Sequence, residues 1–367
     1  MSEVTIPPIF ACPECDSAQL TWREDLSPAV APFDVSEGLR CENCEREFPR
    51  VGGVWVLWSD AVKRLQLLQA EAGEGSAEPE AADLSEQVKL ANIKIYDTIS
   101  ESYGEHHDGI RPYTQTLLFL KALGDDFQAP PPEGHTRTII DVGCAAGVGL
   151  DFGVNGYTHV VGVDLSLTNL RAVVAKGRLA VLADAERLPF RENAIDMVTC
   201  FATLHHLPKP EVFVQSASHI LREGGVLLVA GEPTRAAMGH RGLGRFVFDA
   251  RKPIYRLLAR RSDKYFLHAN REQQRLNDLA EHGRTHGGME PETLEGFFAD
   301  AGLEDLQLFY DTDVSHFRPY GVPDWKMGLL KTLSFQNPFK RSNWANLSAM
   351  GRKRVRPSKP TESEDAS

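Results

Sequence analysis

Short apolar runs recur through the middle of the chain: Thr138 to Val142, Val160 to Val163, Leu179 to Leu182, Ile195 to Cys200 and Val226 to Ala230. Their length suits strands buried on both faces better than helices. Between them, Leu167 to Lys176 and Glu211 to Leu221 show the helical repeat of apolar positions. Strand and helix alternating in this way predict an α/β core, a doubly wound and mainly parallel sheet with helices on both faces. Upstream, Val88, Ile93, Ile95 and Ile99, then Leu117, Leu118, Leu120 and Leu123, fall at helical spacing and predict a helical cap over residues 85–135. Downstream, an insertion over 234–284 breaks the alternation. Pro291 to Ala301 then reads as a helix and Leu306 to Tyr310 as a strand, so the sheet resumes.

The two ends read differently. Residues 1–60 contain two cysteine pairs among strand-like runs such as Val54 to Trp58, which predicts a small β-rich unit. Glu71 to Asp83 is rich in Ala, Gly, Glu and Ser and buries little, so 61–84 is expected to be a flexible linker, with the main domain over 85–330. From Lys331 onward Pro, Ser, Asn and basic residues dominate, which predicts a disordered tail over 331–367.

Composition narrows the picture only a little. At 367 residues the chain is long enough for one large domain with small attachments. No run approaches the roughly 18 to 20 apolar residues of a membrane span, which argues against an integral membrane protein. Met1 to Phe10 lacks a basic stretch followed by an apolar run, so no secretory signal is expected and a cytoplasmic location is. The net charge of −11 disfavours a nucleic-acid binder over the whole surface while leaving room for a local basic patch.

Cys12-Pro13-Glu14-Cys15 and Cys41-Glu42-Asn43-Cys44 are two Cys-x-x-Cys units, each placing two thiolates on one tight turn. Together Cys12, Cys15, Cys41 and Cys44 can supply the tetrahedral sulfur set of a structural zinc, with no position open to substrate. Redox thiols are the alternative, but no thioredoxin-like pattern surrounds either pair. The segment resembles the zinc-ribbon family of small methyltransferase activator subunits, through the cysteine pairs and Glu47-Phe48-Pro49-Arg50-Val51-Gly52-Gly53-Val54. Trp55 and Trp58 depart from the pattern, as ribbon core or as a docking face. The resemblance implies that a protein partner could engage the ribbon.

The run Ile139-Ile140-Asp141-Val142-Gly143-Cys144-Ala145-Ala146-Gly147 is a strand entering a glycine-containing turn. Ala145 stands where a dinucleotide fingerprint has its middle glycine. Asp141 beside the turn would repel a pyrophosphate and suits a cationic ligand. Asp164 ends the second strand, where a carboxylate accepts from ribose hydroxyls, and Asp184-Ala185 follows the third, where one accepts from an adenine amino group. Taken singly, these acids also read as a helix cap, a turn former and a solvated strand end.

In concert with the Leu221-Arg222-Glu223-Gly224-Gly225 turn, these features resemble the Rossmann-like class I S-adenosylmethionine methyltransferases, in the type-11 group that includes ubiquinone and menaquinone biosynthesis methyltransferases. The resemblance runs from about Thr138 to Pro233. It implies a cofactor site in which Asp141, Gly143, Cys144, Ala145 and Gly147 face the methionine part, Asp164 with Leu165 holds the ribose, Asp184 and Ala185 bracket adenine, and Cys200 and Phe201 line the methionine side. Tyr96, Asp97 and Tyr103 look like the family's closing cap. The two thiols, Cys144 and Cys200, read as pocket wall rather than nucleophiles.

S-adenosylmethionine brings an activated methyl group, so the protein's main task is to align an acceptor. His205 and His206 follow the fourth strand and are the candidate catalytic bases, with cofactor packing or loop orientation as the alternative. In the insertion, Arg241, Arg245, Arg251, Lys252, Arg256, Arg260, Arg261 and Lys264 interleave with apolar residues, which suits an anionic or amphiphilic ligand or a solvated helix. The function expected is methyl transfer to a small-molecule or lipid-like acceptor. RNA methylation is a competing reading, since the stretch from Lys340 to Lys359 is basic. A non-catalytic, cofactor-binding partner of another methyltransferase is a third.

Overall fold

The computed structural model describes residues 5–26, 35–58, 83–106, 118, 121–122, 124, 136–147, 158–235, 239–258, 271–281, 287–310, 325–340, 343 and 346–355. Over 98–106 and 325–327, and at 158, 251–252, 254–256, 258 and 272, the backbone alone is described. The expected linker and most of the expected cap beyond residue 106 lie outside the described residues.

Each central run forms a strand: β5 Arg137–Val142, β6 Thr158–Asp164, β7 Leu179–Leu182, β8 Ile195–Phe201 and β9 Leu221–Pro233. They pair in parallel, β7 with β6, β6 with β5, β5 with β8 and β8 with β9. Both faces are covered, which is why the runs are continuously apolar rather than alternating. On one face Ile140, Val142, Val161, Val198, Cys200 and Val229 meet Phe213 and Val214 of α3 (Pro210–Ile220) and Leu294 and Phe298 of α6 (Pro291–Asp300). On the other, Val160, Ala180 and Leu182 meet Leu167, Leu170 and Val173 of α2 (Leu167–Ala175) and Ile93 of α1 (Leu84–His106). Ser166 caps α2, its hydroxyl accepting from the Asn169 N–H at 3.1 Å.

The N-terminal unit is part of this sheet. Strands β1 (Leu20–Arg23), β2 (Gly38–Cys41), β3 (Glu47–Val51) and β4 (Val54–Val56) form an antiparallel run, and β4 then pairs in parallel with β7, Trp55 opposite Val181. Among the described residues the result is a sheet of eleven strands in the order β1-β2-β3-β4-β7-β6-β5-β8-β9-β11-β10. Trp55 stacks edge-on against Phe10 at 5.6 Å and Trp22 at 5.9 Å, and Phe10 reaches Phe190, in the connection between β7 and β8, at 5.9 Å. Trp55 therefore serves both ribbon core and docking, while Trp58 joins the cluster of α1 and α2 on the other face.

The far edge corrects the expectation of a disordered tail from residue 331. Helix α7 (Trp325–Leu333) runs through that position, and β11 (Asn346–Lys353) inserts antiparallel between β9 and β10 (Leu303–Tyr310). Leu347 and Ala349 are buried, and a Cβ on Gly351 would come within 2.7 Å of the Phe298 ring. Small residues let this strand sit close beneath α6, and the same small residues hid it in the sequence. The insertion contains α4 (Gly242–Leu258) and α5 (Arg271–Ala280). Among the described residues, no helix is long and apolar enough to cross a membrane.

Candidate functional site

The parallel strands deliver their carboxyl ends to one edge, where an open α/β sheet binds ligands. At the end of β5 the chain turns through Gly143 (φ 72°), Ala145 (φ 46°) and Gly147 (φ 80°), all left-handed. Gly143 is obligatory there: a Cβ would fall 2.3 Å from the Thr203 side chain. Ala145 adopts a conformation that costs an alanine about 1 kcal/mol, and its N–H is held by Asp164 Oδ2 at 2.9 Å.

A buried carboxylate, Asp141, and a half-buried one, Asp164, meet at this turn. Asp141 Oδ1 accepts from Thr199 Oγ1 at 2.8 Å, and burial pushes its carboxyl up to about 7, with the charge of Asp164 adding to the rise. Asp164 accepts through Oδ2 from Ala145 and through Oδ1 from the Ser166 N–H at 2.8 Å, and burial pushes it up to about 6. A carboxylate away from water gains most from a cation beside it. Leu165 follows Asp164 and is half-buried. Cys144 and Cys200 are buried, and burial holds both thiols well above their ordinary range, so they are wall groups rather than nucleophiles. Phe201, half-buried, lies beside Cys200 at the end of β8.

Helix α1 crosses this edge and touches the ends of successive strands. Lys89 Nζ lies 2.6 Å from Asp184 Oδ2 and 2.7 Å from Glu186 Oε2, with all three side chains largely buried. Ala185, between the two acids, is buried. Asn92 Nδ2 donates to Val88 O at 2.9 Å and to His206 O at 3.3 Å. Asp97 Oδ1 accepts from Ser166 Oγ, next to Asp164. Tyr103 belongs to the same helix, but its side chain lies outside the described residues. The sequence reading passed over Lys89 and Asn92. Their signal was a pair of polar residues on the helix face shared with Ile93 and Tyr96.

The 3-10 turn Leu204–His206 follows β8 and presents the two histidines, ring centroids 4.2 Å apart. They differ sharply. Fully buried Glu232 accepts the backbone N–H groups of Thr203, Leu204 and His205 at 3.2, 3.0 and 2.9 Å, and its Oε2 lies 2.8 Å from His205 Nδ1. That contact puts the Nδ1 proton toward the carboxylate and leaves His205 Nε2 as the basic nitrogen, 3.6 Å from Glu281 Oε2. His206 Nδ1 faces Ala280 O at 2.7 Å, and a carbonyl only accepts, so Nδ1 bears the proton. Tyr96 OH therefore donates to His206 Nε2, at 3.0 Å. With both nitrogens engaged, and burial lowering its pKa to about 4, His206 stays neutral and positions the turn.

At the opposite end, Cys12 Sγ lies 3.5 Å from Cys44 Sγ and Cys15 Sγ 3.6 Å from Cys41 Sγ, with all four sulfurs within 4.8 Å of one another. Tetrahedral zinc with bonds of about 2.3 Å separates its sulfurs by about 3.8 Å, so the cluster is compatible with zinc. It is remote in function from the strand-end acids but continuous with them through the sheet.

A family model described as a methyltransferase domain matches residues 140–229, the stretch that contains the turn, Asp141, Asp164, Asp184 and both histidines. The chain is 28% identical over 151 residues to a tRNA (carboxymethyluridine(34)-5-O)-methyltransferase of Arabidopsis thaliana, covering 40% of this chain and 36% of that protein. It is 33% identical over 101 residues to a ubiquinone biosynthesis O-methyltransferase of Cupriavidus pinatubonensis, covering 26% and 41%. The chain thus spans about two-fifths of the length of these relatives. Among solved structures, the Haemonchus contortus phosphoethanolamine N-methyltransferase 2 in complex with phosphomonomethylethanolamine and S-adenosylhomocysteine aligns over 76% of this chain and 61% of that one, at 16% identity and a TM-score of 0.46. The likeness to a methyltransferase domain thus falls on residues 140–229, which carry this edge of the sheet.

Proposed function

We propose that this chain transfers a methyl group from S-adenosylmethionine to a small-molecule or lipid-like acceptor. The observation that carries the reading is the meeting of buried Asp141 and half-buried Asp164 at a left-handed turn on the carboxyl edge of the sheet. Such a site repels a dinucleotide's pyrophosphate and fits a cationic ligand. S-adenosylmethionine, when bound, supplies a methyl group activated on a sulfonium.

The residues have separate tasks. Asp141 and the turn 143–147 would face the cationic, methionine end. Each oxygen of Asp164 receives one backbone N–H, which leaves lone pairs for the ribose hydroxyls. Asp184, steadied by Lys89, would take the adenine edge. Where the acceptor has an O–H or acidic C–H, His205 Nε2 accepts the proton and Glu232 on Nδ1 stabilises the imidazolium that forms. His206 and Tyr96 position the turn on which His205 stands. The thiol cluster would hold one structural zinc, tying together the two turns at the outer end of a unit whose inner side shares the main core.

Calorimetry with S-adenosylmethionine, its demethylated product and NAD is the test. The first two are expected to bind and NAD is not. Binding of NAD alone would overturn the reading. The acceptor class follows from labelled methyl transfer to metabolite, lipid and RNA fractions, with the first two as the expected recipients. The relatives include both a tRNA methyltransferase and a ubiquinone biosynthesis O-methyltransferase, so the RNA arm is a direct competitor.

A further inference from the structure

Among the described residues, helix α4 packs against α7 along one face. It meets α7 at Gly244, where a Cβ would lie 2.1 Å from Ser334 Oγ, and Phe248 on that side stacks on His240 at 4.4 Å. At about 100° per residue, Leu243, Phe246, Val247 and Leu257 fall on a different arc, and all four are exposed, Phe246 at 70%. The stripe continues beyond the helix: a Cβ on Gly242 would lie 3.2 Å from the Phe335 ring. Phe335 is 91% exposed and Phe339 is 83% exposed. Single exposed apolar residues are ordinary, but a run of this kind marks an interaction surface.

Charge identifies the occupant. Between Gly239 and Lys264 the sequence has eight Lys or Arg against two acids, in a chain whose net charge is −11. Arg241 and Arg245 are exposed on the polar side of the helix, Arg245 paired with Asp249 at 2.7 Å, and Lys340 follows Phe339. Projecting phenylalanines and aliphatic side chains with a basic surround match the interface of an anionic bilayer. The phenylalanines can stack on bases as well as enter a bilayer, but Leu243, Val247 and Leu257 add aliphatic surface that acyl chains cover and bases do not stack on.

We propose that α4, together with Phe335 and Phe339, docks this protein on an anionic membrane surface. The insertion leaves β9 directly after Glu232 and Pro233, the strand end that orients His205. An amphiphilic acceptor would thus meet the site without crossing water. That last clause rests on the proposed function; the docking itself does not.

The test is sedimentation of the full chain with vesicles of phosphatidylcholine alone and of phosphatidylcholine mixed with phosphatidylglycerol. Binding is expected only to the mixed vesicles, weakening as salt rises. The double variant Phe246→Ser/Phe335→Ser should bind roughly tenfold or more weakly, because two large apolar groups no longer leave water. Both side chains are exposed, so the fold should persist, as circular dichroism would check. Three results would overturn the proposal: no binding of the folded wild-type chain to mixed vesicles, binding unchanged in the double variant, or light scattering that shows the stripe closing a dimer which the variant dissolves. RNA binding without vesicle binding is a form of the first. Calorimetric cofactor binding, run in parallel, separates this outcome from failure of the methyltransferase reading.

Discussion

Replacing Asp141 by Asn should make the ligand-free protein more stable at alkaline pH while depriving it of its cofactor. Burial raises the Asp141 carboxyl from its ordinary 3.8 to about 7. At about 1.4 kcal/mol per tenfold change in proton affinity, keeping it ionised above that pH costs the folded state about 4 kcal/mol, taken as a ceiling. A folded-state pKa above the unfolded one means that the native protein binds more protons between roughly pH 4 and 7. Stability is therefore fullest at the acidic end of that window, falls as pH rises through it, and levels off above. Asp164, raised from 3.8 to about 6, adds a slope of the same sign over a lower window. Asn keeps an oxygen that accepts from Thr199 and has no charge to bury, although its new N–H groups need partners, at a cost of about 1 to 3 kcal/mol. The net gain expected at pH 8 is about 1 to 3 kcal/mol, with little or no gain at pH 5. Urea denaturation of the ligand-free protein at the two pH values measures it, and calorimetry at pH 8 should show cofactor binding weakened by roughly tenfold or more. A variant less stable at pH 8, a difference that does not depend on pH, or unchanged cofactor affinity would refute the reasoning.

Three further outcomes are expected. Metal analysis should find about one zinc per chain, and chelation should lower a single calorimetric transition, because β4 and Phe10 share the main core; a separate low-temperature transition for the ribbon would count against that continuity. Lys89→Met leaves Asp184 and Glu186 buried without their cation and should cost about 3 to 5 kcal/mol in urea denaturation, and adding Asp184→Asn should recover part of it; a neutral Lys89→Met would show that water already screens the pair. His205→Gln should lower kcat about 100-fold with little change in cofactor affinity, whereas His206→Gln should act mainly through disorder of the turn; equal effects, or none at His205, would remove His205 as the base.

Much of the architecture was legible in the chain because parallel strands buried on both faces leave an unmistakable pattern. The run Leu179–Leu182 coincides with β7, and the others match within a few residues. The strand-end acids were legible for a related reason: a carboxylate directly after an apolar run lies on the ligand-binding edge wherever that run pairs in parallel. The cysteine spacing likewise confined four sulfurs to two turns, and folding needed only to bring the turns together.

What the sequence left open depended on contacts distant along the chain. Strand β11 is built largely of small and polar residues with basic and Pro-containing sequence around it; it becomes a strand because β9 and β10 offer it two ladders and α6 a lid. Local propensity cannot register partners supplied from the far side of the fold. The ribbon's attachment to β7 was hidden likewise, since a three-residue strand such as β4 says nothing about which edge it will extend. The two histidines are adjacent and chemically equivalent in sequence, and only tertiary structure distinguishes them. Glu232, from the next strand, orients His205, while Ala280 and Tyr96, from two helices, occupy both nitrogens of His206. Sequence determined which residue types reach the carboxyl edge of the sheet. Tertiary structure decided which of them keep a proton or a lone pair there, because that depends on burial and on the partner each atom meets.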